Sequence, residues 1–587
     1  MINLIQKSDN SINMNTKMIN SLQTLLSSNE LKTYKLAKKC EDGVILHAWN
    51  WYFNDIKNNM REIAKSGYSS IQVSPIQPNK DGKFTCLYDW WKLYQPIDFS
   101  IGNTLGSEQE FKEMCDEAKK YGIKIIVDVV SNHLAGNSGN GNNAKWNRNN
   151  SIPSYLKDND DFWHNESFGA FYNDNDRTSM TKGAIGMPGL NTSNKDLQQI
   201  IINFLNRAQE LGADGFRFDA AKHIELPNDY LGSDYWPTII NGIKKVNPEA
   251  FVYGEILNSC ATDIKNYSNY MKVTDNEYGW NVIDAVTNCN AGLAQNYVKN
   301  DIAKNFVTWV ESHDTYAGDY GRKSDNVCEL DIKLGWCIVA SRADSVPLFF
   351  GRPSNGLHGN LGIGSSLWKD KTITEINKFH NKFAGENEYI RILNNNSVFE
   401  IERGDGGVVI VNLSHNFTKI NTVTNLKDGN YKDKVTGNNI TVKNHILTAE
   451  LSGKSVIIAY NDINEVYDTN YIDLFANYLY RPGSIYVTNN NNLGNKIYAY
   501  VYSEKDPSKY IKPWPGIEMN FNDSEYYYDL PLEWQNEDTR IIFTDGHNQY
   551  PMSYNPGFSF VNGKAILFDN NEIKYIHTSS IVEEKSA

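Results

Sequence analysis

Four apolar, strand-like segments of this chain carry ionisable residues at or near their C-terminal ends. In Ile125-Ile126-Val127-Asp128-Val129-Val130-Ser131-Asn132-His133 a carboxylate sits inside an apolar run. Gly215-Phe216-Arg217-Phe218-Asp219 alternates, so a strand period of two puts Arg217 and Asp219 on one face and Phe216 and Phe218 on the other. Phe251-Val252-Tyr253-Gly254-Glu255 finishes on a glutamate, and Thr308-Trp309-Val310-Glu311-Ser312-His313-Asp314 finishes on His-Asp. A carboxylate in an apolar strand end is costly unless it is paired or reactive. Any one of Asp128, Asp219, Glu255 and Asp314 reads as a cap or a buried ion pair; four such ends are hard to explain that way. Arg217 can neutralise part of the charge and hold Asp219 ionised. Crowding favours one protonated carboxyl, and Glu255 is the natural candidate for that acid. One ionised and one protonated carboxyl is the apparatus of glycosidic-bond cleavage.

These ends need a scaffold that brings separate strands to one mouth. Strand patterns fall at Val44–Trp49, Ser70–Pro75, Ile123–Val130, Gly215–Ala220, Phe251–Ile256, Asn305–Ser312 and Val346–Phe350, with the sixth strand least distinct, near Met271–Trp280. Helix-length segments such as Ser107–Tyr121, Lys195–Leu211 and Asp331–Ala340 lie between several of them. Such βα repetition predicts a parallel sheet of the α/β class, closed as a (β/α)8 TIM barrel over residues 40–390, with its reactive residues at the C-terminal strand ends. A doubly wound sheet is the alternative, but no Gly-rich phosphate loop follows the first strand. The Asn/Gly/Ser-rich stretch 134–190 after strand 3 predicts an excursion domain, since loops this long are usually functional. Alternating strands with Gly/Asn turns predict an all-β sandwich over 391–461, then a linker at 462–483, a second all-β segment over 484–568 and a disordered tail over 569–587.

The segments DVVSNH (128–133), GFRFDAAKH (215–223), GEIL (254–257) and ESHD (311–314) resemble, in the right order, the four signature regions of glycoside hydrolase family 13, the α-amylase family. DWWKLYQP (89–96) and TWVESHDTY (308–316) are similar to its bacterial saccharifying members, and the resemblance covers about residues 43–460. It implies an endo-acting, retaining hydrolase of internal α-1,4 bonds in starch, glycogen and maltooligosaccharides. Asp219 is then the nucleophile, Glu255 the acid and base, and Asp314 the residue that binds sugar hydroxyls and steadies the distorted ring. His133 and His313 would hydrogen-bond the ring, Arg217 would orient Asp219, Lys222 and His223 would meet the leaving side, and Asp128 would support the site. Trp90, Trp91, Tyr94 and Gln95 would line the glucose subsites, although a Trp pair in a loop also reads as a satellite hydrophobic cluster. The resemblance also implies a structural calcium between barrel and excursion, held by Asn132 and the backbone carbonyl of His223. Its usual aspartate is replaced by Gly189, which weakens a hard-cation site.

Ile497-Tyr498-Ala499-Tyr500-Val501-Tyr502 puts three tyrosines on one strand face, ordinarily a core stripe. Lys512-Pro513-Trp514-Pro515-Gly516 and Asn548-Gln549-Tyr550-Pro551 follow. Residues 484–568 resemble family 26 starch-binding modules, in which two alternate tyrosines, a tryptophan and a glutamine hold a helical glucan. Tyr498, Tyr500, Trp514 and Gln549 match, with Tyr502 competing with Tyr498. A second glucan site would act through effective concentration on a polymer.

Composition narrows the partners. The 587 residues carry 57 Lys+Arg against 70 Asp+Glu, a net charge of −13 with no basic block, so nucleic acid and anionic membranes are not expected partners. No apolar run approaches the roughly 20 residues of a spanning helix. Thirty-five Tyr, 13 Trp and 24 Phe make an aromatic content of 12%, which calls for something flat and partly polar to lie against it. The seven cysteines form no CxxC pair and read as free thiols. Met1–Lys39 is polar with no apolar signal region, which permits a cytoplasmic protein, whereas a polymeric substrate favours secretion. A monomer is expected. A glucanotransferase on the same barrel and a non-catalytic glucan-binding protein are the competing readings.

Overall fold

The computed structural model describes residues 34–138, 141–169, 171–318, 321–460, 483–488, 493–494, 496–521, 525–561, 564–569 and 572–577. Nearly all of the expected linker and the last ten residues of the expected tail lie outside them. The chain divides into two compact units, residues 1–461 and 462–587.

The first unit is built on a closed parallel barrel of β1 (Ile45–Ala48), β2 (Ser70–Val73), β3 (Lys124–Val129), β4 (Gly215–Phe218), β5 (Phe251–Gly254), β6 (Lys272–Thr274), β7 (Phe306–Thr308) and β8 (Val346–Phe350), with β8 pairing back onto β1. The (β/α)8 expectation holds. The sixth strand lies at the start of the segment assigned to it from sequence; the rest of that segment is helical. Asp275 accepts a hydrogen bond from the Tyr278 N–H and starts the helix Asn276–Thr287, so Trp280 stands on a helix and not on a strand.

Helices form where apolar residues recur at helical spacing between good caps. Glu108–Tyr121 opens on a Ser107/Glu110 capping box, buries Phe111, Met114, Cys115 and Ala118 along one face, and ends at Gly122 with φ 71°. The outward residues of β4, Phe216 and Phe218, belong to the main apolar core, and Phe218 meets Trp236 of the helix Tyr235–Val246 edge to face at 5.3 Å. Inside the barrel a separate cluster of Ile45, Ile126, Phe251, Tyr253, Val307, Trp309, Val346 and Leu348 plugs the floor beneath the strand ends.

The excursion over 134–190 has the short helices Ser154–Lys157 and Arg177–Lys182 and isolated bridges such as His133 with Gly189 and Trp163 with Leu190. After β8 and the helix Lys371–Lys382 come two four-stranded antiparallel sheets. The first joins β9 (Glu388–Leu393), β10 (Val398–Arg403), β11 (Gly407–Asn412) and β16 (Ser455–Tyr460). The second joins β12 (Thr418–Val423), β13 (Gly429–Lys432), β14 (Asn439–Lys443) and β15 (Ile446–Leu451). Three strands of the first sheet, β10, β11 and β16, are buried on both faces. Val408, Ile410 and Ile457 face the second sheet, while Val409, Val411 and Ile458 join the core containing Phe379 and Phe383 of the last barrel helix. All seven cysteines are free thiols.

The second unit packs two sheets around Ile485, Val487, Ala499, Val501, Ile541, Phe543, Ile566 and Phe568. Its last strand, Glu572–His577, pairs antiparallel with Lys564–Asp569. This corrects the boundary at 568: the first part of the expected tail is a strand, and Ile573 packs against the core.

Gly215 opens β4 on the inward face, where a Cβ would stand 2.4 Å from the backbone oxygen of Phe251 on the neighbouring strand. Gly215→Ala should therefore lower the unfolding free energy by about 1–3 kcal/mol, read as a lower midpoint in chemical denaturation with an unchanged slope.

Candidate active site

The mouth of the barrel is organised by one guanidinium. Register places Asp128 of β3 beside Arg217 of β4, and Arg217 beside Tyr253 of β5. Arg217 Nη1 donates to Asp128 Oδ1 at 2.8 Å and to Asp219 Oδ1 at 2.8 Å, while its Nη2 lies 3.0 Å from Glu255 Oε2. Three carboxylates from three strands thus share one buried cation. Tyr94 donates its hydroxyl to Asp128 Oδ2 at 3.0 Å, which leaves Asp219 and Glu255 as the members of the trio turned to other uses.

The chain bends sharply after Asp219. Ala220 adopts the left-handed conformation (φ 49°, ψ 31°), which costs a residue with a Cβ about 1–2 kcal/mol. The bend aims the Ala220 N–H at Glu255 Oε2, 2.8 Å away, so the strained residue holds the glutamate in place.

Electrostatics at the mouth are acid-heavy. Burial pushes the Asp219 carboxyl well above the usual range; Arg217 opposes the rise, and Glu255, Asp128 and Asp314 add to it. The Asp314 carboxyl stands exposed in the cleft, where desolvation by the walls and the Glu255 charge raise it. The histidines supply no compensating charge. Burial lowers His47 to about 3, with Arg217 adding to the effect, and burial lowers His133 to about 4. Burial also holds His313 well below its ordinary value. Four carboxyls around one guanidinium disfavour full ionisation of the cluster.

An aromatic box seats His313. Tyr94 stacks on it at 5.1 Å, Trp90 meets it edge-on at 5.6 Å and His47 at 5.3 Å. His133 approaches the Tyr94 carbonyl at 2.9 Å. Lys222 donates its backbone N–H to the Glu255 carbonyl at 3.3 Å, and its ammonium lies 3.1 Å from Asp174 of the excursion. Beside the carboxylates a cavity of about 220 Å³ runs past Glu255, Asp314, Leu257, Asn276 and Trp280, and inward to His47 and Tyr253.

Of the residues singled out by sequence, Asp219, Glu255, Asp314, Arg217, Asp128, His133, His313, Trp90, Tyr94 and Lys222 meet here. Trp91 does not join the box: its ring lies under Lys80 and Lys92 at 5.8 and 5.7 Å. The Gln95 backbone carbonyl accepts from the Lys80 N–H at 3.0 Å, away from the box. His223 turns toward the excursion, with Nδ1 2.9 Å from the Met180 carbonyl. His47 was not singled out, although Ile45-Leu46-His47 alternates as β4 does and would have placed it inward. Trp280 gave no signal because its element was misassigned.

In the second unit Tyr498, Tyr500 and Tyr502 lie half-buried on the outer face of their strand while Ala499 and Val501 face the core, so the stripe is not a core stripe. Tyr500 contacts Tyr502, Tyr510 and Trp514 at 5.6, 6.0 and 5.6 Å. Tyr510 and Trp514 are 42% and 49% exposed. Tyr498 pairs with Thr544, which pairs with Gln549, so Gln549 shares the tyrosine face. Tyr510 was missed from sequence because it lies outside the alternation.

Comparison with known proteins follows the same division. A family profile described as "Alpha amylase, catalytic domain" matches residues 53–319, and one described as "Starch-binding module 26" matches residues 485–554. The chain carries an α-amylase catalytic domain and a family 26 starch-binding module. An alpha-amylase of Clostridium acetobutylicum is 40% identical over 436 residues, covering 73% of this chain and 55% of the relative. An alpha-amylase of Butyrivibrio fibrisolvens is 34% identical over 477 residues, covering 71% and 47%. The chain thus spans about half the length of these relatives. α-Amylase I of Eisenia fetida, solved with maltohexaose, shares the fold with a TM-score of 0.60 at 18% identity, over 72% of this chain and 97% of that one.

The family's calcium was expected between the α-amylase barrel and its excursion. The donors there lack its charged ligand. Residue 189 has no carboxylate, the Asn132 amide nitrogen lies against His133 Nδ1 at 3.4 Å, and among the described residues no group of three or more His, Cys, Asp or Glu side chains is arranged to hold a metal.

Arg217→Met would leave the Asp128, Asp219 and Glu255 carboxyls without their cation. Breaking such a buried pair costs about 3–5 kcal/mol, so urea unfolding at neutral pH should show a loss of that order. Without Arg217 the Asp128 and Asp219 carboxyls, already raised by burial, rise further and protonate as pH falls, so the deficit relative to the parent should shrink toward acid pH.

Proposed function

We propose that this chain is an endo-acting α-amylase that hydrolyses internal α-1,4-glucosidic bonds of starch and glycogen with retention of configuration. The observation that carries this reading is Arg217 joining Asp219 to Glu255 at 2.8 and 3.0 Å. That geometry supports reading Asp219 as the nucleophile and Glu255 as the proton donor at the ends of neighbouring strands.

Asp219 attacks the anomeric carbon while Glu255 gives its proton to the departing glycosidic oxygen, and a glycosyl ester on Asp219 replaces the broken C–O bond. Glu255, now ionised, takes a proton from water, which attacks the same carbon and releases the ester; two inversions restore the α configuration. Asp314, exposed in the cleft, accepts from sugar hydroxyls and favours the distorted ring. Trp90, Tyr94, His133 and His313 meet the apolar and polar edges of the glucose at the bond being cut, and Lys222 meets the leaving side. Asp128, tied to both Arg217 and Tyr94, holds the arginine in place.

The platform of Tyr500, Trp514 and Tyr510, with Tyr498 and Gln549 on the same face, supports a second glucan contact. Sugar rings present C–H faces that stack on aromatics, and a weak site raises the effective concentration of enzyme on a polymer. Among the described residues no helix is long and apolar enough to cross a membrane. Starch does not cross membranes, so the reading includes secretion.

Glu255→Gln should reduce release of reducing sugar from soluble starch by at least about 10²-fold while starch still binds; unchanged hydrolysis sinks the assignment. A timed chromatographic profile on amylose should show shortening linear products, whereas cyclic or lengthened products would select glucan transfer. Trp514→Ala should lower adsorption to granular starch far more than turnover of short maltooligosaccharides. Equal loss on both substrates would make Trp514 a packing residue.

A further inference from the structure

The excursion is fastened to the barrel by a cation of the chain's own. Lys182 ends the helix Arg177–Lys182, and its ammonium lies 3.0 Å from Glu225 Oε2, the two side chains being only 5% and 0% exposed. Thr192 donates its hydroxyl to the same oxygen at 2.8 Å. A buried ion pair of this kind persists only where both charges are compensated, and here one comes from the excursion and the other from the turn after β4.

The segments around this pair are those between which the family's calcium was expected. His223 Nδ1 approaches the Met180 carbonyl at 2.9 Å, and the Leu190 N–H donates to the Asn132 carbonyl at 2.9 Å. An acidic side chain in place of Gly189 would press on its neighbours in this setting. A Cβ on it would stand 3.0 Å from His164 Cδ2 and 3.4 Å from Asn143 Oδ1. Asn143 is committed as well: its Oδ1 accepts from the Gly189 N–H at 2.9 Å and its Nδ2 donates to the Lys182 carbonyl at 3.0 Å. His164 is buried beside them. The space beside residue 189 is crowded by neutral polar groups, and the positive charge of the junction is an ammonium.

We propose that the Lys182–Glu225 pair takes over the structural role of a bound divalent cation, so that barrel and excursion are joined without calcium. Three elements support it together: the buried pair across the junction, the occupied space at residue 189, and the direct hydrogen bonds between the segments that a metal would otherwise bridge. The proposal concerns folding and holds whether the product is hydrolysed or transferred glucan.

The test uses the intact chain, exhaustively dialysed against EGTA and then returned to millimolar calcium, with thermal unfolding and elemental analysis as readouts. The expected result is the same unfolding midpoint in both buffers and no stoichiometric calcium after dialysis into metal-free buffer. Lys182→Met should lower the midpoint by several degrees in either buffer, with no rescue by calcium, and adding Glu225→Gln should recover part of the loss because both charges then leave together. A midpoint that falls on chelation and returns with calcium overturns the proposal. So does one calcium retained per chain, or a Lys182→Met variant as stable as the parent. Should Lys182→Met fail to fold, the chelation and elemental measurements on the parent chain still decide.

Discussion

Everything at the barrel mouth depends on Arg217 being the cation for carboxylates delivered by three strands. The arginine can reach Asp128, Asp219 and Glu255 together only while β3, β4 and β5 keep their register. A slip of one residue would turn Arg217 into the outer core and Phe216 or Phe218 into the mouth. The planar guanidinium also suits the task, since its fixed fork of donors can serve several carboxylates at once where an ammonium would be a point charge. Neighbouring groups respect this arrangement. The histidines stay neutral, Tyr94 secures the one carboxylate that does not face the cleft, and Ala220 accepts backbone strain to keep Glu255 against the same cation.

Much of this was legible in the sequence, and the reason is periodicity. Strand alternation in Gly215–Asp219 put Arg217 with Asp219 and the phenylalanines opposite, and that is where they lie. The barrel and the sandwich followed from the same kind of pattern. What escaped detection has physical causes. The sixth strand has only three residues, too few to display a period, and the helix behind it was absorbed into it. His47 was legible in principle but lay in a segment without a carboxylate. Trp91 and Trp90 are adjacent in sequence, yet the 3-10 helix Leu87–Tyr94 turns one into the aromatic box and the other under two lysines. Lys182 could not be found at all, because nothing local distinguishes a lysine buried against a distant glutamate from one in water.

The cleft and the module's platform differ in the way the proposed glucan contacts require. The cleft is concave, acid-rich and lined by groups whose protonation matters. The module's platform is an open, uncharged shelf of rings, with Trp514 half-exposed and Tyr500 supported by its neighbours. A neutral polysaccharide needs no long-range field from either, which is consistent with a chain whose net charge is −13. The aromatic content is thus divided among core, box and shelf.

The strands β10, β11 and β16 of the first sheet are buried on both faces, and this limits how the chain can be recombined. A cut made before Glu388 would leave Phe379 and Phe383 of the last barrel helix facing water and strip β10, β11 and β16 of one of their two apolar contacts. The natural seam for transplanting the barrel into another protein therefore lies after Tyr460, where the sheet is complete. Barrel and sandwich are one inheritable block.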